Sequence, residues 1–206
     1  MQKKRVYDSV KGLLDPVMAA LLLVILSPVF AVIWLIIKLN EVRHPAIFSQ
    51  TRIGKNGQTF RIYKFRTMVV DAEEQLTSLL QYNDVKDNVT FKMKSDPRVT
   101  KIGRFLRKTS LDELPQLFNV IKGEMAIVGP RPALPREVAA YTEHEKKRLA
   151  VLPGITCLWQ VSGRSDTTFA YMIEKDLAYI EQRSFGLDLM ILFKTVETVV
   201  MPHGAY

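Results

Sequence analysis

The stretch of sequence that decides the fold is PVMAALLLVILSPVFAVIWLII, residues 16–37, which contains no charged side chain. A helix needs about 20 apolar residues to cross a bilayer, so this stretch has the length of one span. Pro28 stands in its interior, however, where a proline has no amide hydrogen to donate and crowds the carbonyl four residues back, at Val24. The sequence therefore predicts a helix that is kinked or broken at Ser27-Pro28.

The charges that flank this stretch predict how it meets a membrane. Lysine and arginine mark the cytoplasmic flank of a membrane segment, and here they occur on both sides: Lys3, Lys4, Arg5 and Lys11 before it, Lys38 and Arg43 after it. A helix that enters the bilayer, bends and leaves by the same face satisfies both the break and the charges. We therefore predict a re-entrant membrane helix within residues 1–40.

Three other interpretations stay open for the same stretch. A cleaved signal peptide also begins with basic residues, but its apolar core is shorter and is followed by small residues at a cleavage site. Here the bulky residues 34–38, WLIIK, follow instead. A membrane-spanning helix with a tolerated kink is the stronger alternative, and a buried helix of a soluble core is the weaker one because of the length of the stretch.

The composition of the chain limits the kind of partner it can have. The 206 residues carry a net charge of +8, with a pI of about 9.6, and a basic protein attracts nucleic acid, anionic membranes or phosphorylated molecules. The apolar stretch favours membranes and phosphates and gives nucleic acid no role. The single cysteine, Cys157, excludes an internal disulfide, and its apolar neighbours predict a buried thiol.

Short patterns predict an α+β fold that is mostly helical beyond the apolar stretch. Strands are predicted at 46–48 and 59–63, joined by a turn at 54–57, because Asn-Gly is a strong hairpin signal. Helices are predicted at 71–80, 99–108, 114–121, 136–151, 168–182 and 187–201, with a polar loop at 83–96 and a helix end at Gly123. The last helix carries a broad apolar face, which suits a membrane interface and a soluble core equally well.

The segment Ser110-Leu111-Asp112-Glu113 is the candidate chemical centre. Ser-x-x-Glu before an apolar helix is the pattern of a capping box, a purely structural role. Pro115 favours Asp112 as the cap instead, since the proline would then fall in the first turn, where its missing amide costs nothing. Two adjacent carboxylates need a compensating cation, and either the upstream Arg104, Arg107 and Lys108 or a magnesium ion, which binds one or two carboxylates plus phosphate oxygens, can supply it.

Several basic residues stand where phosphate-binding side chains are expected. Lys64 and Arg66 follow a predicted strand, Arg131 lies between two prolines, and Arg164 follows a glycine in a turn. The planar guanidinium of arginine donates two parallel hydrogen bonds to a phosphate. Any one of these residues is also compatible with an ordinary surface charge. No P-loop and no GxGxxG motif is present, so nucleotide binding by those routes has no support.

Taken together, the motifs of the chain resemble those of the bacterial sugar transferase family, monotopic phosphoglycosyl transferases that begin glycan assembly on a polyprenyl phosphate. The resemblance covers nearly the whole chain and departs from the usual pattern at Cys157, where glycine is usual. Its motifs are the apolar stretch with Ser27-Pro28, FSQTRIG at 48–54, YKFRTM at 63–68, SLDELPQ at 110–116, VGPRP at 128–132, PGIT at 153–156, WQVSGR at 159–164 and GAY at 204–206.

The resemblance implies a two-step reaction and roles for individual residues. Asp112 would attack the β-phosphorus of a UDP-sugar and release UMP, and polyprenyl phosphate would then take the sugar-1-phosphate from the aspartate. Glu113 would hold Mg²⁺, and Ser27 and Pro28 would set the bend of the re-entrant helix. Phosphates and nucleotide would be bound by Arg107, Arg131 and Arg164, and more weakly by Lys64 and Arg66.

The resemblance also implies a place for the protein in the cell. We expect a re-entrant membrane helix at residues 1–40 and a catalytic domain at 41–206, with interfacial amphipathic helices. Both termini would lie on the cytoplasmic face of a bacterial inner membrane. UDP-glucose or UDP-galactose is the favoured donor, undecaprenyl phosphate the acceptor, and downstream glycosyltransferases are further partners. The long amino-terminal region of larger relatives is absent from the sequence, which implies a minimal form.

Two alternatives to this function stay open. The donor sugar can instead be an N-acetylhexosamine. In a different class, the chain can be a non-catalytic membrane adaptor that binds anionic lipid through its basic face and needs neither Asp112 nor Glu113. A nucleic-acid binder is a third and weaker alternative, which predicts steeply salt-dependent binding to DNA or RNA.

Overall fold

The chain folds around a bent pair of helices packed on a small α+β domain, as seen in a computed structural model that describes residues 2–40, 42–83, 93, 95–162 and 168–200. Helix α1 covers Gln2–Ile25 and α2 covers Ser27–Asn40. Neither is by itself long and apolar enough to cross a membrane, but together, from Lys4 to Asn40, they have the required length and composition and are bent by 65°. The predicted break at Ser27-Pro28 is therefore confirmed.

Ser27 compensates for the backbone hydrogen bond that Pro28 removes. Pro28 cannot donate to the carbonyl of Val24, and the Ser27 hydroxyl donates to that carbonyl at 2.8 Å instead. The backbone bonds Leu26 N to Leu22 O and Phe30 N to Leu26 O continue across the bend. The chain thus bends without leaving this carbonyl unpaired, as an apolar environment requires.

Both helices of the pair pack on the same domain. One face of α1 is buried and carries Tyr7, Asp15 and Ala19, which are four or eight residues apart. The buried residues of α2 are Ile33 and Ile37. The opposite faces are strongly apolar and exposed, with side chains such as Leu13, Leu21, Val24, Ile25, Val32 and Leu39. Contiguous exposed apolar surface of this extent marks a binding or membrane surface.

The predicted hairpin is confirmed and is longer than predicted. Strand β1 (Ile47–Ile53) pairs antiparallel with β2 (Thr59–Phe65), with Ile47 opposite Phe65. The turn between them has positive φ at Asn56 (56°) and Gly57 (78°), as the Asn-Gly signal indicates. A second, parallel pair joins β3 (Ala126–Val128) to β4 (Gly154–Thr156).

The remaining helices surround these two sheets. They are α3 (Ala72–Leu79), α4 (Lys101–Lys108), α5 (Leu117–Ile121), α6 (Pro135–Ala139), α7 (Glu143–Lys146), α8 (Phe169–Gln182) and α9 (Phe185–Val200), with 3₁₀ turns at Lys55–Gly57, Leu80–Tyr82, Leu111–Gln116 and Lys147–Ala150. Gly123, with φ of 73°, follows α5 as predicted. The predicted loop at 83–96 lies mostly outside the described residues.

The prediction of one helix over 136–151 was wrong. The chain instead forms α6, then α7, then a 3₁₀ turn. The reason is a second capping box within the segment: the Thr142 hydroxyl accepts from the Glu145 amide, and the Glu145 carboxylate accepts from the Thr142 amide. A cap residue has extended backbone, and Thr142 has φ −68° and ψ 165°, so the helix must restart there.

Buried apolar side chains form three clusters within the described residues. The largest joins α1 to α5, β3, α8 and α9 around Val120, Met125 and Ile191. The second packs Ile33 and Ile37 of α2 on Ala46, Phe65 and Leu106, and the third contains Cys157, Trp159 and Met172. The predicted burial of the Cys157 thiol is confirmed. The apolar face of α9 divides, since Ile191 is buried while Leu189, Phe193 and Val196 are exposed.

Candidate active site

The Asp112-Glu113 pair lies in a 3₁₀ helix, not at the cap of an α-helix. Ser110 adopts a left-handed backbone (φ 56°) and its side chain caps nothing, so the predicted capping box is absent, and Asp112 is the second residue of the 3₁₀ helix rather than its cap. Pro115 explains the tight turn, because it has no amide to donate in an α-helix. Both carboxylates are therefore free for other partners.

Asn119 fixes this 3₁₀ helix against strand β2. Its side chain is fully buried; its amide donates to the Arg61 carbonyl at 2.7 Å, and its oxygen accepts from the Tyr63 amide at 3.1 Å. One side chain thus satisfies both backbone groups of an otherwise unpaired strand edge. As a result Lys64, which follows Tyr63 in β2, lies beside Glu113 of the 3₁₀ helix.

The two adjacent carboxylates have opposite environments. Burial raises the pKa of Asp112 to about 6, although the Lys64 charge opposes this. Burial alone would also raise the pKa of Glu113, but Lys64 and Arg131 outweigh burial and lower it below its ordinary value. Glu113 accepts a hydrogen bond from Lys64 Nζ at 2.6 Å. Two carboxylates whose pKa values are driven apart are typical of a site with two chemical roles.

The compensating cation beside the pair differs from the predicted one. Lys64 contacts Glu113 directly, whereas Arg104, Arg107 and Lys108, or a magnesium ion, were expected to supply the charge. Arg107 contributes from a distance: its Nε donates to Thr67 Oγ1 at 3.0 Å, and its charge lowers the pKa of Asp112. Lys64 lies far from Glu113 in the sequence, and β2 comes close to the pair only through the hairpin and Asn119.

A small pocket beside Glu113, the Glu113 pocket, collects three cations. Lys64 and Arg131, which the sequence analysis predicts as phosphate binders, both line it, and Arg52 is the third. The space inside is about 10 Å³, roughly that of one water molecule. The residues that line the pocket are Arg52, Ile62, Lys64, Glu113, Gln116, Arg131, Pro132, Gly154 and Ile155.

Arg52 is a site residue that the sequence analysis missed. Its Nη1 donates to the Pro132 carbonyl at 3.0 Å and its Nη2 to Gln50 at 2.9 Å, but its buried Nε has no partner among the described residues. Burial and the charge of Arg131 lower the pKa of Arg52 to about 10. Two half-buried arginines whose charges repel each other at one pocket indicate a site for an anion. The only sequence signal was the FSQTRIG motif itself.

The backbone of Arg131 is held by a buried ion pair. Arg148 donates to the Arg131 carbonyl at 3.2 Å and also pairs with Asp176, a residue with no exposed surface. Burial raises the pKa of Asp176 to about 6, against the opposing charge of Arg148. The Pro-Arg-Pro segment is thereby fixed by its prolines and by this pair together.

Arg66 lies apart from the Glu113 pocket, and Arg164 lies outside the described residues. Arg66 Nε donates to the Pro45 carbonyl at 2.8 Å. Its side chain lines a second and larger pocket of about 270 Å³, the α2–α4 pocket. The residues that line it are Ile37, Asn40, Arg66, Met68, Thr100, Lys101 and Ile102.

The donor set at the site suits a magnesium ion only together with a substrate. No group of three or more carboxylate, histidine or cysteine side chains gathers within the part of the chain that the structure describes. Asp112 and Glu113 offer adjacent carboxylates, although Lys64 already contacts one oxygen of Glu113. Mg²⁺ commonly takes one or two carboxylates and completes its shell with phosphate oxygens and water. Glu113, which the resemblance implies as the magnesium ligand, would hold such an ion once a diphosphate is bound.

Comparison with known proteins agrees with the resemblance seen in the motifs. Undecaprenyl-phosphate galactose phosphotransferase of Salmonella typhimurium is 42% identical, over 98% of this chain and 43% of its own length. UDP-glucose:undecaprenyl-phosphate glucose-1-phosphate transferase of Escherichia coli is 40% identical, over 93% of this chain and 40% of its own length. Exopolysaccharide production protein ExoY of Rhizobium meliloti is 40% identical, over 93% of this chain and 86% of its own length.

This chain spans about two fifths of the length of several relatives, including the Salmonella and Escherichia proteins. The family model for bacterial sugar transferases matches residues 6–202, which include the bent helix pair, both sheets and the Asp112-Glu113 segment. The chain therefore belongs to the bacterial sugar transferase family.

Proposed function

We propose that this protein transfers a sugar-1-phosphate from a UDP-sugar to undecaprenyl phosphate and releases UMP. The observation that carries the proposal is the Asp112-Glu113 pair, with pKa values driven apart, beside a pocket of three cations. Relatives named for galactose and glucose transfer to undecaprenyl phosphate support this reaction and favour a UDP-hexose donor.

In the first step, Asp112 acts as the nucleophile. A carboxylate oxygen of Asp112 forms a bond to the β-phosphorus of the UDP-sugar, and the bond from that phosphorus to the bridging oxygen breaks. The bridging oxygen and its electron pair leave with UMP, and the sugar phosphate stays on Asp112. Lys64 and Arg107 both favour the ionised form of Asp112, which this step requires.

The three cations of the Glu113 pocket bind the diphosphate of the donor. Arg131 and Arg52 supply guanidinium groups, which match phosphate geometry, and Lys64 supplies a point charge. The buried, unpaired Nε of Arg52 gains a partner when the anion binds. The pocket has room for about one water molecule and must widen to admit the diphosphate, whose developing charge the three cations then stabilise. Magnesium on Glu113, when bound, would neutralise further charge on the diphosphate.

In the second step, the lipid phosphate accepts the sugar phosphate. An oxygen of undecaprenyl phosphate bonds to the phosphorus held on Asp112, and the bond from phosphorus to the carboxylate oxygen breaks. Asp112 is then regenerated as a carboxylate. Two displacements at one phosphorus let a soluble donor and a membrane-bound acceptor use the same site in turn.

A re-entrant membrane helix suits a reaction whose donor is soluble and whose acceptor is in the membrane. Both α1 and α2 pack on the catalytic domain, and the exposed apolar side chains cluster around the bend between them. We infer that this bent pair enters the cytoplasmic face of a bacterial inner membrane and leaves by the same face. The domain then stays with the UDP-sugar in the cytosol while the acceptor phosphate lies at the membrane surface.

The experiment that tests the function is a panel of UDP-sugars with undecaprenyl phosphate and Mg²⁺, read by UMP release. We expect release with UDP-galactose or UDP-glucose, and the panel includes N-acetylhexosamine donors to decide the sugar class. Mass spectrometry after incubation with the donor alone should find a sugar phosphate on Asp112. A protein that transfers sugar phosphate with no adduct on Asp112 would rule out the two-step mechanism.

The rival function is a membrane adaptor that binds anionic lipid without catalysis. It needs no ionisable pair, so exchange of Asp112 for Asn would leave its binding to anionic vesicles and its biological role unchanged. The enzyme, by contrast, would lose UMP release. Complementation of a strain that lacks the native gene by the Asp112→Asn variant therefore separates the two functions.

A further inference from the structure

The α2–α4 pocket is the larger of the two pockets, and the proposed reaction gives it no part. It lies where the carboxyl end of α2 meets the end of β2 and the start of α4. Its volume of about 270 Å³ far exceeds that of the Glu113 pocket. A pocket of this size holds a small headgroup rather than a whole nucleotide sugar.

The lining of the pocket is both cationic and apolar. Arg66 and Lys101 contribute two positive charges, and no carboxylate is among the described residues that line the pocket. Within the described residues, the Lys101 ammonium has no hydrogen-bond or ion-pair partner, and Arg66 uses only its Nε, on the Pro45 carbonyl. Ile37, Met68 and Ile102 supply the apolar part. Such a lining suits an amphiphile with an anionic head and a hydrocarbon tail.

The pocket is connected to Asp112 by a short chain of contacts. Thr67, between the lining residues Arg66 and Met68, accepts a hydrogen bond from Arg107 Nε at 3.0 Å. Thr67 also accepts, through its carbonyl, from the backbone amide of Thr100 at 3.0 Å. The charge of Arg107 in turn acts on Asp112. The Glu113 pocket thus adjoins the Asp112-Glu113 pair directly, whereas the α2–α4 pocket is linked to Asp112 through Thr67 and Arg107.

We propose that the α2–α4 pocket binds the phosphate head of the polyprenyl phosphate acceptor, with Arg66 and Lys101 as its cationic contacts. The proposal rests on the proposed function, which requires a lipid phosphate to reach Asp112 after UMP has left. The pocket borders α2, whose exposed face is apolar, so a tail leaving the pocket meets that face. The donor and acceptor phosphates then approach Asp112 from separate pockets.

The test measures donor and acceptor kinetics separately for the variants Lys101→Gln and Arg66→Gln. The full chain is placed in phosphatidylcholine vesicles with undecaprenyl phosphate at varied mole fraction, and UMP release is recorded. We expect each variant to raise the KM for undecaprenyl phosphate roughly fivefold. The KM for the UDP-sugar and the rate of adduct formation on Asp112 without acceptor should stay unchanged. Lys55→Gln is the control, because Lys55 is an exposed lysine in the hairpin turn that lines neither pocket.

Other outcomes would overturn the proposal. A rise in the KM for the UDP-sugar would assign the pocket to the donor. Equal loss of binding to phosphatidylglycerol vesicles and of activity would assign it to bulk anionic lipid. An unchanged acceptor KM in both variants, with active wild-type protein, would refute the acceptor site alone. Absence of UMP release by the wild type with any donor would refute the proposed function, and the acceptor site with it.

Discussion

Asp112 and Glu113 are neighbours in sequence, yet their surroundings prepare them for different chemistry. Asp112 is 7% exposed and has a raised pKa, because burial destabilises its ionised form. Glu113 contacts Lys64 and stays ionised well into the acid range. A desolvated carboxylate is the more reactive nucleophile, and a firmly ionised one is the better ligand for a cation. The environments thus support the division of roles proposed for the pair.

The variant Asp112→Asn should abolish activity and stabilise the protein. Folding raises the pKa of Asp112 from 3.8 to about 6, so the ionised side chain opposes folding above pH 6. We expect the free energy of unfolding at pH 7 to rise by about 1–3 kcal/mol. The gain should vanish below about pH 4, where the carboxyl group is protonated in both states. Thermal unfolding at several pH values measures this, and a variant less stable at pH 7 would contradict the buried-charge argument.

The pH dependence of kcat/KM should follow the same carboxyl group. In the proposed mechanism Asp112 attacks only when it is ionised, so activity should fall as the pH drops through about 6. The Lys64 charge lowers the pKa of Asp112, so Lys64→Gln should move this acid limb to higher pH as well as weaken donor binding. Lys122→Gln serves as the control, since Lys122 contacts the neighbouring Tyr63 but is not in the pocket. If kcat/KM of the Lys64→Gln variant falls at the same pH as that of the wild type, ionisation of Asp112 does not cause the loss of activity at low pH.

Arg52 should be required as an arginine and not only as a positive charge. Arg52→Lys keeps the charge but cannot contact Pro132, Gln50 and a phosphate together. We expect kcat/KM for the UDP-sugar to fall about tenfold or more, with little change in stability. Arg61→Lys is the matched control, because Arg61 lies on the paired strand but is exposed and contacts Ser49. If Arg52→Lys and Arg61→Lys are equally active, Arg52 does not bind the donor.

Among the secondary-structure elements, the sequence predicted those turns, helix starts and helix breaks that depend on neighbouring residues. The Asn-Gly turn, the helix that begins after Thr168 and the break at Ser27-Pro28 all follow from residues close together in the chain. The capping role assigned to Ser110 and Asp112 was wrong, because Pro115 and the left-handed Ser110 favour a 3₁₀ turn. The Lys64–Glu113 contact could not be predicted, since it depends on Asn119 joining α5 to the strand edge.

The approach of α4 to the end of β2 depends on one glycine. A Cβ added at Gly103 would lie 1.9 Å from the Thr67 carbonyl oxygen, a backbone atom that cannot turn aside. Gly103→Ala must therefore separate the two elements, and we expect a loss of about 2–4 kcal/mol in the free energy of unfolding. Activity should fall too, because Arg107 is held by Thr67.

Gly12 offers the matched substitution in another helix. A Cβ added there meets nothing within 4 Å, so Gly12→Ala should stabilise α1 by about 0.5–1 kcal/mol. Denaturant unfolding of both variants tests the pair of predictions. A Gly103→Ala protein as stable as the wild type would show that α4 can shift without loss.

For the whole molecule, the decisive arrangement is that both ends of the bent helix pair attach to one domain. Lys11 of α1 bonds Asp188 of α9 at 2.7 Å and Asp15 at 3.0 Å, and Asp15 accepts from the Ile127 amide. Tyr7 donates to Asp188 at 2.8 Å. The sequence predicted Lys11 as part of a basic flank, but the structure places it in this buried network. Only the tertiary fold brings α1 and α9 together, so the sequence pattern could not reveal it.

This network predicts the topology of the chain in the membrane. Because Tyr7, Lys11 and Asp15 are bound to the domain, the amino-terminal turns of α1 must lie on the side of the membrane where the domain lies. A Lys4→Cys variant and a Ser184→Cys variant should then resist an impermeant thiol reagent in intact cells. Both should react after the membrane is permeabilised, since Lys4 and Ser184 are exposed.

The native Cys157 gives little background in this labelling, because its thiol is buried. Ser184 lies between α8 and α9 and reports the side of the domain itself. If Lys4→Cys reacts in intact cells while Ser184→Cys stays protected, α1 crosses the bilayer, and the contacts of α1 with α9 must be absent in the membrane. If both stay protected until permeabilisation, the bend at Ser27-Pro28 returns the chain to the face it entered, as the shared attachment of α1 and α2 to one domain requires.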